Sequence, residues 1–260
     1  MSQALRVLDL TRVLAGPVAG RFLAAYGAEV LRIDPPDWDE PAVIPEVTLG
    51  KRCARLDLKS AEGRPIFEAL LSETDVLLHG YRRDALEKLG YDGQALRRIR
   101  PGLLDASLNA YGWTGPWTGR RGFDSLVQMS SGIADHGMRM SKTDKPTPLP
   151  VQAIDMATGY LLAAAVLRAL NNQRTSGVVQ SARLSLARVA GLLGTSARDH
   201  LGPGIAPETE NDLAANIEHT DWGPSHRPQF PLQIEGFDAF WDHPARNLGT
   251  APPEWLSDSA

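Results

Sequence analysis

A single carboxylate, Asp155, stands in or near the first turn of a helix that opens after the proline-rich connector 146–150. The residues that follow, 156–170, are almost all apolar or small, so this helix is expected to be buried most of the way round. A carboxylate at such a helix start lies in the positive end of the helix dipole, which favours the ionised, nucleophilic form. Aspartate is also favoured at helix starts for structural reasons, so position alone does not establish a role. A carboxylate is a weak nucleophile and works only when it is held against a reactive carbonyl. The six histidines, His79, His136, His200, His219, His226 and His243, show no ligand spacing, and no metal is expected. Cys53 is the sole cysteine, which leaves neither a disulfide framework nor a thiolate cluster.

The elements that must position Asp155 follow from the hydrophobic pattern. RVLDL (6–10), EVLRID (29–34), CARLDL (53–58), DVLLHG (75–80) and GLLDASL (102–108) read as five buried strands. Between them lie helical stretches at 17–26, 60–72, 84–89 and 93–99. Pro17 suits a first helical position and Gly27 a helix stop. The proline- and acid-rich 34–45 reads as an exposed loop. Residues 123–132 read as a helix, 133–150 as a loop, 178–182 as a strand and 184–197 as a helix, with the helix of Asp155 ending near 171. Alternation at this spacing predicts a Rossmann-like, mainly parallel α/β sheet flanked by helices on both faces. Such sheets bind ligands beyond the carboxyl ends of their strands, so the residues just after each strand are the candidates. Gly16-Pro17-Val18-Ala19-Gly20 is not the G-x-G-x-x-G fingerprint, which disfavours a nicotinamide dehydrogenase.

The 260-residue chain has a net charge of -4 and no block of like charge, which argues against a nucleic-acid partner. Its longest apolar run, 160–167, stops at Arg168, too short to cross a bilayer. The first ten residues lack a signal-peptide pattern, and the cytoplasm is the default location. Composition shifts after Leu201, where turn formers replace periodic apolar residues. Trp222, Phe230, Phe237, Phe240, Trp241 and Trp255 follow. The expected division is a Rossmann-like domain over 1–198 and an extended segment over 199–260, its aromatics anchoring it to the domain or to a partner chain.

Several stretches line up, in order, with one family. RVLDLTRVLAGP (6–17), GAEVLRIDPP (27–36), GKRCARLDLKSAEGR (50–64), DVLLHGYRRDALEKLGY (75–91) and ASLNAYGWTGPWTGRRGFDSLVQMSSG (106–132) resemble successive blocks of the family III CoA-transferases. That family includes formyl-CoA transferase, carnitine CoA-transferases and α-methylacyl-CoA racemase. The resemblance runs over roughly 5–190. It implies a nucleophilic aspartate at Asp155 and coenzyme A, carried in as acyl-CoA, at the strand ends. By position the pocket takes Arg12, Val13, Leu14 and Ala15 after the first strand, and Arg32 and Pro35 after the second. Gly80, Tyr81, Lys88 and Leu89 follow the fourth strand, and Asn109 and Tyr111 the fifth. Arg12 and Lys88 are candidate phosphate partners.

The activity so implied is transfer of CoA from an acyl-CoA to a carboxylic acid through an aspartyl-CoA thioester. This chain departs from the pattern at some positions. The racemase branch needs a histidine where Phe123 stands, which disfavours a 2-methylacyl-CoA racemase-type isomerase. Leu14 and Asn109 replace a glutamine and a lysine of formyl-CoA transferase, which disfavours oxalate- or formate-type substrates. HTDWGPSHRPQFPLQIEGF (219–237) resembles the family's returning C-terminal segment, but the smaller second domain that normally precedes it has no counterpart. A homodimer is therefore expected, or a heterodimer with a longer homologue, with the aromatic tail crossing between chains. A non-catalytic CoA-binding subunit is the other reading this length leaves open.

Overall fold

The computed structural model describes residues 4–80, 85–195 and 206–256. Six parallel strands form one sheet in the order β3-β2-β1-β4-β5-β6. They are β1 (Arg6–Leu10), β2 (Glu29–Asp34), β3 (Arg52–Arg55), β4 (Val76–His79), β5 (Leu104–Asn109) and β6 (Ala182–Ser185). Val7, Leu8, Leu31, Leu77 and Leu78 are almost fully buried, as strands covered on both faces require. Strand order reverses between β1 and β4, and a crevice opens there beyond the strand ends.

One face of the sheet carries α1 (Ala15–Ala25) and α8 (Ala153–Ser176), which pack on Val7, Val30, Val76, Leu104 and Ala106. The other face is covered by α3 (Gly63–Ser72), α4 (Ala85–Lys88) and α5 (Gly93–Ile99), with Phe67, Leu71, Leu86 and Leu96 in that core. Asp92 caps α5 by accepting from the Gln94 and Ala95 amides. The remaining helices are α2 (Ile44–Val47), α6 (Asp124–Ser130), α7 (Ile133–Met140) and α9 (Leu186–Thr195). α8 is long and apolar enough to cross a membrane by length and composition alone. Here it is a core helix, with Ile154, Leu162, Ala163 and Val166 fully buried.

Some boundaries differ from those the sequence suggests. The stretch 133–150 is not all loop, because α7 occupies its first half. β6 starts at Ala182 rather than near 178. α8 continues to Ser176, where Gly177 closes it at φ 72°. Pro17 falls at the third position of α1 rather than the first, still among the amides that lack an intrahelical partner.

The C-terminal stretch contains an antiparallel hairpin, β7 (Leu213–Thr220) and β8 (Gly223–Pro228). It then runs back over the domain of the same chain, one of the two seats that the sequence left open. Phe230 and Trp241 join Phe22 and Tyr26 in an aromatic cluster on α1. Trp241 Nε1 donates to the Arg21 carbonyl at 3.0 Å, and Trp255 Nε1 to the Leu70 carbonyl at 3.0 Å. Arg227 pairs with Glu218 and Glu46. α1 thus offers the tail an apolar seat within the same chain.

α1 and α8 meet closely at Gly159. A Cβ there would come within 2.6 Å of the Ala15 carbonyl oxygen and of Val18 Cβ. Gly159→Ala would raise intrinsic helix propensity by about 1 kcal/mol. It would also overpack a seam that cannot open without moving α1, at about 1–3 kcal/mol. The expected net result is a lower urea midpoint at unchanged m value.

Candidate active site

A cleft of about 450 Å³ lies beyond the carboxyl ends of β1, β4 and β5. The loop from β1 into α1 lines it with Arg12, Val13, Leu14 and Ala15; Gly80 follows β4, and Asn109 ends β5. Asp155, at the third position of α8, reaches it from the helix start. The topology thus gathers seven of the residues that the sequence singled out.

The other six sit elsewhere or lie outside the described residues. Arg32 has a fully buried side chain, paired with Asp34 and Glu40 beneath the loop, and does not line the cleft. Its position near the end of β2 suggested the cleft, but the pleat turns the side chain inward beside Asp34, two residues on. The Pro35 carbonyl accepts from Arg55 Nη1 at 3.1 Å. Leu89 packs into the core beside Leu86 and Tyr91, and Lys88 ends α4 away from the cleft lining. Tyr111 is edge-on to Trp117 and hydrogen-bonded to the Ser130 hydroxyl at 3.0 Å, again off the lining. Tyr81 lies outside the described residues.

The lining also contains residues that sequence reasoning passed over. Trp38 comes from the 35–43 loop, and the Arg12 guanidinium lies 4.4 Å from the centre of its ring. Arg120 and Arg121 come from the glycine-rich stretch before α6, with Arg120 stacked on Trp117. Three arginines therefore face the cleft, and Asp155 is the sole carboxylate among the described lining residues. Asn109 turns its side chain to its own loop, bonding Gly112 at both N–H and carbonyl.

Asp124 is the most consequential residue that was passed over. It opens α6 and is almost wholly buried. Its Oδ2 accepts the Asp155 backbone N–H at 2.9 Å, and its Oδ1 accepts from Gln128 Nε2. Gln128 in turn accepts the Leu149 amide at 2.7 Å, tying the connector to the same node. The signal in the sequence was the Asp124–Gln128 pair at i, i+4, which puts both polar groups on one helix face.

Asp155 is 4% exposed. Burial, reinforced by the neighbouring Asp124 charge, pushes its carboxyl up to about 7. No described side chain or amide donates to that carboxylate. This corrects the expectation from the helix dipole alone. A dipole contributes roughly 0.3–1 kcal/mol, whereas lifting a carboxyl from its ordinary value to about 7 corresponds to about 4 kcal/mol. Desolvation wins.

The fold and this cleft define a class: a parallel α/β protein with a buried carboxylate in an arginine-lined cleft at the switch point of its sheet. The chain belongs to CoA-transferase family III, whose model matches residues 3–221. It is 34% identical over 224 residues to the protein named "Probable fatty acyl-CoA transferase Rv3272" from Mycobacterium tuberculosis, covering 80% of this chain and 56% of that one. It is 32% identical over 237 residues to the succinate--glutarate CoA-transferase of Agrobacterium fabrum, covering 82% and 58%. The crystal structure of Rv3272 in its orthorhombic form superposes with a TM-score of 0.66 at 36% identity, over 73% of this chain and 56% of that one. The chain thus spans little more than half the length of these relatives.

The raised Asp155 carboxyl has a stability consequence of definite sign. The native state holds this proton more tightly than the unfolded chain does. The stability that this one group contributes is therefore fully present below about pH 4 and is lost as pH rises towards and through about 7. Asp155→Asn removes that dependence. It should match wild type near pH 4 and exceed it by up to about 4 kcal/mol at pH 8 in urea unfolding. A constant difference across that range would place the titration on another group.

Proposed function

We propose that this chain acts as an acyl-CoA:carboxylate CoA-transferase with Asp155 as nucleophile. The observation that carries the reading is a buried carboxylate facing a cleft with three arginines, at the strand ends of a family III fold. CoA brings several phosphate charges, which suits that cationic lining. An Asp155 oxygen attacks the thioester carbonyl, the C–S bond breaks, and CoA thiolate leaves behind a mixed anhydride. The thiolate then attacks the aspartyl carbonyl and releases the donor acid, leaving an aspartyl-CoA thioester. The acceptor carboxylate attacks that thioester and is in turn converted, by the same steps in reverse, to the new acyl-CoA. No net proton, electron pair or oxidant is required.

Only the ionised Asp155 attacks. With its carboxyl near 7, the rate of adduct formation should rise through that pH and level off above it. Oxyanions form along the way and need donors to stabilise them. None of the described groups donates to the Asp155 carboxylate, which favours a second reading: a CoA-binding subunit completed by a partner chain. That partner would be a second copy or a longer homologue. Leu126 and Met129 on α6, and Leu193 on the adjoining α9, are exposed and offer an apolar face for it. Racemisation is disfavoured, because Phe123 on the cleft cannot carry a proton. The free, buried Cys53 suits a reducing cytoplasm.

Incubation with acyl-CoAs, including succinyl- and glutaryl-CoA, followed by a hydroxylamine trap and peptide mass spectrometry should find the modification on Asp155. Asp155→Ala should abolish it. Modification elsewhere, or turnover in Asp155→Ala, would defeat the assignment. Arg12→Ala should weaken CoA binding by about 1–3 kcal/mol in calorimetry if the guanidinium bonds a phosphate.

A further inference from the structure

The loop after β1 takes a turn that its residue resists. Val13 has φ 67°, a left-handed conformation that a β-branched side chain disfavours strongly. The Val13 N–H donates to Glu40 Oε2 at 2.9 Å. The other Glu40 oxygen accepts from Arg32 Nη2, and Arg32 is gripped from behind by Asp34 at 2.7 and 3.0 Å. Arg32 and Asp34 side chains are fully buried, and Glu40 is 7% exposed. Two residues before Glu40, Trp38 carries the Arg12 guanidinium on its ring. The 35–43 loop therefore fastens the β1–α1 loop at two adjacent points, both at the rim of the cleft.

We propose that Glu40 is a positioning residue: the Arg32–Glu40 strut holds the Val13 peptide left-handed and so sets Arg12 and Leu14 at the cleft mouth. Such strain persists only where its surroundings over-determine it, and here a buried, charge-assisted contact does so. Arg32, which the sequence suggested as a ligand contact, thus acts through Glu40 rather than by touching the ligand. Removing Glu40 leaves Arg32 its bidentate partner Asp34, so the β2 end keeps its pairing.

The test has two arms, and only the second rests on the CoA reading. In the first, amide exchange at Val13 is followed by NMR in wild type and Glu40→Ala, relative to the core amide of Ala106. Loss of a buried bond to a charged acceptor should speed Val13 exchange about tenfold or more while Ala106 holds. Unchanged relative exchange overturns the proposal. In the second arm, CoA affinity should fall about tenfold in Glu40→Ala, with little change in the adduct rate at saturating acyl-CoA. Val13→Gly in the Glu40→Ala background should recover part of that affinity, because glycine takes positive φ without cost. A wild type that binds CoA and a Glu40→Ala variant that binds it equally well would also overturn the positioning role. If wild type binds no CoA while Val13 exchange still follows Glu40, the strut stands and the ligand reading falls.

Discussion

The buried pair of Asp9 and Lys51 is the constraint from which the site geometry follows. Both side chains are fully buried, with Lys51 Nζ 2.7 Å from Asp9 Oδ2. Lys51 also donates to the Pro17 carbonyl at 2.9 Å, and Asp9 Oδ1 accepts the Thr11 amide at 2.9 Å as well as its hydroxyl. Burial pushes the Lys51 ammonium towards deprotonation, and the Asp9 carboxylate beside it opposes that shift. Such a pair contributes little net stability against an apolar substitute, yet breaking it costs about 3–5 kcal/mol. What it supplies is geometry. The end of β1, the following loop and the first turn of α1 are tied through one side chain delivered from beside β3.

Position then passes outward by contact. With the start of α1 fixed, Ala15 and Val18 form the surface on which α8 lies, and Gly159 allows the close approach. α8 carries Asp155 to the cleft, while Asp124 on α6 holds the first-turn amide. Two buried carboxylates are thus brought together with different partners. Asp124 has donors, namely an amide and the Gln128 side chain; Asp155 has none among the described residues. That asymmetry explains why the proton is held on Asp155 near neutral pH, and why the helix dipole does not decide its charge.

Much of the fold was legible because parallel strands read as near-continuous apolar runs, as in VLDL and VLLH, each with a single polar residue. The strand-end rule then located Arg12, Leu14, Gly80 and Asn109 at the cleft without any coordinates. Arg32 was misplaced because the rule names a position along the strand, not the face of the pleat. The Arg32–Asp34 spacing of two was the available sign that both side chains share a face. α7 was hidden because Gly137 and several polar residues break its apolar stripe, although Ala134 is buried. The β7–β8 hairpin contains Pro224 and Pro228 and little alternation, so its docking through Arg227 to Glu46 could not be read locally. Asp124 was not singled out, since only the tertiary fold brings it to Asp155.

On the proposed function, coenzyme A meets Asp155 in the cleft at the β1/β4 switch point. A crystal structure of the chain with bound CoA tests it most directly. The expected density puts the phosphates against Arg12 and the thiol sulfur at van der Waals distance, about 3.5–4 Å, from the Asp155 carboxylate. CoA seated elsewhere, for example on the basic surface of Arg97, Arg98 and Arg183, with the Asp155 cleft empty, would contradict it.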